Sequence, residues 1–244
     1  MIAFLRCLII PLVFILFSVF GMLFCLCRPG HANNTKILAL ALSRVFAPIL
    51  GIKLIVRHKA NFHSEPAVFI ANHQSNYDLA CFGAAFHNNT LCIGKNSIRW
   101  IPFFGQLFWL SGSLFIDRKN HNSAISTISY VTQRIVNDGI SIWLFPEGTR
   151  SSGRGLLPFK MGAFHTAIQA QVAILPIVLS STSHFRLNKI NNGYAILKVL
   201  DPIDTSHFNA QNIKQLSRIC HNVIKLTITQ LDKEVAQLNS KDKH

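Results

Sequence analysis

Two short stretches carry side chains able to move protons and hold anions. Residues 71–78 read ANHQSNYD and follow the apolar run AVFI; residues 142–150 read IWLFPEGTR. Each runs from a strand-like apolar segment into a polar turn. His73 and Asp78 stand five residues apart. On one continuous helix that spacing would separate them by about 140°, and they would not meet. They do meet if His73 sits in the turn before a helix and Asp78 in its first turn, with Ser75 or Asn76 as the cap. A carboxylate that accepts one imidazole N–H fixes the tautomer and raises the basicity of the other nitrogen. Such a pair without a serine or cysteine nucleophile suits activation of a hydroxyl on a bound substrate. Ser75 lies close by, but no Gly-x-Ser-x-Gly elbow surrounds it. The plainer alternative for the pair is a structural histidine beside a surface aspartate.

In FPEGTR, Glu147 and Arg150 are charges at a strand exit beside Gly148, where the backbone can approach a ligand closely. Arg154 and Lys160 follow in GRGLLPFK, and a guanidinium fork with nearby amines suits a phosphate. Glu147 is placed to accept a hydrogen bond from a substrate hydroxyl or to hold Arg150. SGSLFIDR supplies a third polar exit with Asp117 and Arg118. Three such exits fit a site along one edge of a sheet.

The elements that must carry these exits are legible in outline. Strands are expected over Ala67–Ala71, Ser113–Asp117, Ile140–Phe145, Ala173–Ser180 and Tyr194–Leu200. Their Ile, Val, Leu and Phe show little alternation, as in strands covered on both faces. Helices are expected over Asn76–His87, His121–Asn137, Phe159–Gln169 and Gln211–Leu238, with Gly139 as a stop for the second. The pattern implies an α/β fold with a central, mostly parallel sheet flanked by helices. No internal repeat or low-complexity linker interrupts it.

Ahead of this domain the chain is basic and apolar. Cys7–Cys27 has no charged residue and as a helix would measure about 31 Å, the thickness of a bilayer core. Pro29 and Gly30 then break it, and a second, amphipathic helix is expected over Thr35–Ile49. Residues 1–54 therefore form a membrane-associated region, either a span with an interfacial helix or a hairpin dipping into one leaflet, and residues 55–244 form the catalytic domain. The excess of Lys and Arg after Cys27 favours a cytoplasmic domain. Arg6, Arg28, Lys36, Arg44, Lys53, Arg57 and Lys59 all precede the first acidic residue, Glu65, and the whole chain carries a net charge of +14. An anionic membrane surface explains this better than nucleic acid, for which no motif is present. The 6 cysteines are scattered as free thiols of a reducing compartment, and Cys25, Cys27 and His31 lack the fourth ligand of a metal site.

Taken together, NHQSNYD, GSLFIDR, FPEGTR and ILPIVLS resemble, in order and spacing, the four motif blocks of the glycerolipid acyltransferases. WIPFFGQLFWLSG and RGLLPFKMGAFH extend the likeness to the bacterial members that acylate lysophosphatidic acid. The resemblance implies transfer of a fatty acyl group from an acyl carrier protein or coenzyme A thioester to the sn-2 hydroxyl, giving phosphatidic acid, with no metal or prosthetic group, at the bacterial inner membrane. His73 would be the base and Asp78 its orienting partner. Substrate binding would fall to Arg118, Glu147, Gly148, Thr149 and Arg150, with Lys95 in IGKNSI and Lys160 as further partners for anionic groups. Backbone N–H groups after Asn72 are the candidate oxyanion donors. The rivals are an acyltransferase with another lysophospholipid or glycerol 3-phosphate as acceptor, a thioester hydrolase, and a membrane-binding module without catalysis. An imidazole base also implies activity that falls on acidification.

Overall fold

In the computed structural model the chain is described over residues 1–57, 65–117 and 121–242, with 121–124 described by their backbone alone. Two helices open it, α1 (Ile2–Cys27) and α2 (Asn34–Ile49). Strands β1 (Ile52–Arg57) and β2 (Ala67–Ala71) lead to the short α3 (Asp78–Phe82), β3 (Thr90–Lys95), α4 (Phe104–Leu110) and β4 (Leu114–Ile116). Then come α5 (His121–Asp138), β5 (Ser141–Leu144), α6 (Gly162–Ala170), β6 (Ala173–Leu179), β7 (Gly193–Val199) and α7 (Ile213–Lys241). The strands form one seven-stranded sheet in the order β1-β7-β6-β2-β5-β3-β4. Neighbours are parallel except β6 and β7, which pair antiparallel.

The sheet is covered on both sides, as its unalternating strands require. Val68, Ile70, Ile142, Ile174, Val178 and Ile196 pack with α5, α6 and α7 on one face. Phe69, Trp143, Leu175, Ile177, Leu179 and Leu197 pack with α2 and α3 on the other, where Phe14 and Phe17 of α1 also close in. All five residues of β2 are buried, which places it at the centre of the sheet. The expected strands and helices are present with ends shifted by a few residues. Gly139 does end α5, with φ +62°, the left-handed turn that releases a helix.

Four elements depart from the expectation. β1 and β3 carry charged or polar residues within short apolar runs, and their pairing depends on neighbours distant in sequence. α4 lies in a segment too aromatic and too short to show helical periodicity. The helix expected over Asn76–His87 is α-helical only from Asp78 to Phe82 and continues as a 3-10 turn over Gly83–Ala85. No side chain caps its start; Ser75 Oγ instead accepts the Tyr77 N–H at 3.1 Å. All 6 cysteines are free thiols.

α1 is the one described helix long and apolar enough to cross a membrane, yet it lies along the domain. Near its start Arg6 is buried. Its guanidinium donates to the carbonyls of Ile49 at 2.9 Å, Leu187 at 3.0 Å, Ile190 at 3.0 Å and Lys189. Mid-helix, Phe14 meets Phe104 of α4 with ring centroids 4.9 Å apart. At its end, Arg28 O accepts the Asn34 side-chain amide at 2.9 Å, and Thr35 Oγ1 donates to Ser111 O at 2.9 Å. An arginine in so apolar a helix is costly unless its donors are satisfied, and here they tie the helix to the loop before β7. Replacing Arg6 by Met strands these carbonyls, and stability should fall by about 1–3 kcal/mol. Thermal unfolding in detergent checks this, with Arg44→Met, at an exposed position of α2, expected to unfold like the wild type.

Candidate active site

The exits of β6, β2 and β5 are adjacent because those strands are adjacent in the sheet. Each supplies part of one loop cluster. Asn72, at the end of β2, is buried and pairs with β6 in both directions: its Nδ2 donates to Leu179 O and its Oδ1 accepts from Leu179 N, both at 2.9 Å. Gln74 extends the link by donating to Leu179 O and Ser180 O at 3.1 and 3.0 Å and by accepting the Thr182 N–H at 3.1 Å. On the other side, the loop after β5 lies against the β2 exit through Ser151 N to His73 O at 2.8 Å and Ser152 N to Gln74 O at 2.9 Å.

Between these loops His73 and Asp78 meet as their spacing allows. Nδ1 lies 2.7 Å from Asp78 Oδ2. The carboxylate is buried and also accepts the N–H groups of Gln74 at 2.6 Å and Ser75 at 3.1 Å. A carboxylate in this position makes Nδ1 the protonated nitrogen and leaves Nε2 as the acceptor. The ring stacks on Phe145, centroids 4.2 Å apart, and its side chain is 19% exposed. It is therefore fixed in orientation yet open to a substrate. Ser75 Oγ lies on the Asp78 side, 3.4 Å from Oδ1, and shares a hydrogen bond with Thr182 Oγ1 at 3.0 Å.

Glu147 faces inward. It is 3% exposed; Oε1 accepts the His73 N–H at 2.6 Å and Oε2 the Leu157 N–H at 2.8 Å. Burial, the dominant influence, raises its carboxyl above the usual range, and the two N–H donors pull the other way. One carboxylate thus joins the β2 exit to both ends of the loop after β5. This role is invisible in FPEGTR, where the acid reads equally well as a ligand for substrate. The N–H groups of His73, Gln74 and Ser75 are consumed by these two carboxylates, which removes them as the oxyanion donors expected from the turn after Asn72.

Of the expected anion-binding residues, Gly148 and Lys160 line one opening beside Phe145. Gly148 has φ +70°, and a Cβ there would stand 2.9 Å from Lys160 Cε, so glycine is what lets the Lys160 side chain cross the turn. Thr149 and Arg150 are exposed at its tip, and Arg154 braces the turn by donating to Ser151 O at 2.8 Å and Arg150 O at 3.0 Å. Lys95 is exposed at the end of β3. Arg118 lies outside the described residues. Beside Gly148 and Lys160 opens a cavity of about 550 Å³ that sequence reading missed, because its lining comes from β3, β4, α5, β5 and α6. Ile93, Ile116, Ile128, Leu144, Phe145 and Met161 make it predominantly apolar, and Phe145 is shared with the His73 stack.

A family model described as Acyltransferase matches residues 53–180, the span that holds every one of these motifs. The chain belongs to the acyltransferase family. Within it, the chain is 44% identical over 225 residues to the 1-acyl-sn-glycerol-3-phosphate acyltransferase of Salmonella typhimurium, covering 91% of each. It is 41% identical over 243 residues to the enzyme of that name from Haemophilus influenzae, covering 98% of this chain and 100% of that one. The fold matches the crystal structure of the 1-acyl-sn-glycerophosphate (LPA) acyltransferase from Thermotoga maritima with a TM-score of 0.67 at 21% identity, over 90% of this chain and 95% of that one. In this acyltransferase, Glu147→Gln keeps one acceptor for the two loop N–H groups and Glu147→Ala keeps none. Stability should fall in that order, by about 1–3 kcal/mol for each N–H left without a partner. Activity should fall with it, as read by thermal unfolding and turnover on the same preparations.

Proposed function

We propose that this acyltransferase moves a fatty acyl group from an acyl carrier protein or coenzyme A thioester to the sn-2 hydroxyl of lysophosphatidic acid, giving phosphatidic acid. The observation that carries the reading is the His73–Asp78 pair, oriented and partly open, with Ser75 Oγ on the Asp78 side of it. His73 Nε2 takes the proton of the acceptor hydroxyl as its oxygen attacks the thioester carbonyl. The resulting imidazolium is stabilised by Asp78. The tetrahedral intermediate collapses with loss of the thiolate, which takes the proton back from Nε2. One ester forms, one thioester breaks, and one free thiol is released. The base is an imidazole and the nucleophile belongs to the substrate, so the reaction as written needs no metal or prosthetic group. In this reading Arg150 and Lys160, with Arg118 by resemblance, hold the phosphate, and Glu147 acts on the chemistry by positioning His73.

The cavity beside Lys160 suits an acyl chain, being predominantly apolar and walled in part by α5 and α6. The pair α1 and α2 suits one leaflet of a bilayer: Arg6 ties the start of α1 to the loop before β7 and Phe14 packs on Phe104 of α4, so α1 lies against the domain rather than projecting from it. The excess of Lys and Arg after Cys27 supports a seat on the cytoplasmic side of the bacterial inner membrane for the same reading. A net charge of +14 favours anionic lipid and an acidic carrier protein alike.

Purified wild type given lysophosphatidic acid and a long-chain acyl thioester should release thiol and form phosphatidic acid in equal amounts, while His73→Ala forms neither and still binds vesicles. Thiol without phosphatidic acid would reveal a hydrolase or another acceptor, and full activity in the variant would exclude His73 as the base. A bulky ring in the cavity provides a separate check. Ile128→Trp should shift the preference from long toward shorter acyl chains by about tenfold or more in the ratio of kcat/KM values, measured by competition between thioesters of different length.

A further inference from the structure

The molecule exposes a second apolar surface that neither the chemistry nor the two opening helices use. Of the 3 tryptophans, Trp143 is buried in the core, whereas Trp100 is 79% and Trp109 66% exposed. Ile101 and Phe103 between them are exposed as well. Phe103 has φ +64°, a backbone state that a bulky residue adopts only when its surroundings impose it and that concentrates at functional positions. We propose that residues 100–109 are a separate membrane-contacting element, seated at the headgroup level of an anionic phospholipid bilayer. The inference rests on the reading above that α1 and α2 lie in that bilayer.

Continuity, charge and side-chain chemistry identify the occupant. α4 packs on α1, with Phe104 against Phe14, and the outward residues Leu8, Leu12, Leu16, Phe20 and Leu23 of α1 are exposed. The surface thus continues the apolar face of the one described helix suited to lipid. Apolar patches of this kind mark an interaction site, and tryptophan, with an apolar body and one N–H, prefers the boundary between headgroups and chains. From Leu79 to Ile116 the chain has no acidic residue, while Lys95 and Arg99 are exposed at the margin of the segment. Arg99 lies over the Phe115 ring at 5.3 Å. A cationic border beside tryptophans fits anionic headgroups. The element also adjoins the site: Phe108 of α4 stacks near Phe115 of β4 at 5.2 Å, and β3 and β4 supply Ile93 and Ile116 to the cavity. Seating it would bring the cavity wall to the lipid surface.

The test uses the full chain in vesicles of phosphatidylethanolamine and phosphatidylglycerol whose acyl chains carry bromine, with tryptophan emission as the readout. Wild type should lose most of its emission. Trp100→Phe/Trp109→Phe, which reports from Trp143 alone, should lose little. Trp100→Glu/Trp109→Glu changes two exposed positions and should weaken vesicle binding by about tenfold or more. If the wild type floats with vesicles but is quenched no more than the double Phe variant, the element is not in lipid and the inference falls, while the reading of α1 stands. If the protein does not float, both fall. If emission instead follows protein concentration in the absence of lipid, the surface belongs to a second copy and the inference is overturned.

Discussion

Two buried carboxylates that receive backbone N–H groups hold the whole arrangement. Removing a carboxylate from water is costly unless hydrogen bonds replace the lost solvation, and here most of the replacements come from the loop that carries His73. Asp78 takes the His73 ring and the N–H groups of Gln74 and Ser75; Glu147 takes the N–H groups of His73 and Leu157. The loop is therefore folded around two anions. His73 is gripped by one through its ring and by the other through its backbone, which leaves its Nε2 the single free nitrogen of the set. Asn72 fixes the third side by pairing with Leu179 of β6. The order β6-β2-β5 is what makes these bonds reachable, since it sets the three exits side by side.

That dependence explains what could be read in advance. The doubly covered strands were legible because continuous apolar runs mean the same thing wherever they occur, and the meeting of His73 with Asp78 followed from local geometry at a helix start. The family resemblance rested on short blocks whose internal spacing needs no tertiary knowledge. The direction of the Glu147 carboxylate was not legible. It depends on His73 and Leu157, which reach it only through the sheet order and the return of the chain. Likewise the cavity is assembled from Ile93 to Gln169, with no stretch of sequence that announces it. β1 and β3 were missed for a related reason: β1 is an edge strand with charged ends, and β3 is short and begins among asparagines, so both are defined by their partners.

The same logic extends to the opening helices. Their apolar composition was plain, but composition alone left a span and a one-leaflet hairpin equally open. Arg6 supports the one-leaflet reading proposed above. A guanidinium satisfied by four carbonyls of the α2 end and the loop before β7 is a fixed joint, and Phe14 packs the middle of α1 on Phe104 of α4. The loop that Arg6 holds includes Thr182, which bonds to Gln74 and Ser75 of the turn that carries His73. Chain contacts thus run without a break from the apolar helix to His73. An enzyme whose acceptor hydroxyl lies just beneath the headgroups needs its base held at a set height relative to the bilayer. In the proposed reading, a helix joined by an arginine to the loop that braces His73 would set that height, whereas a helix on a flexible tether would leave it to chance.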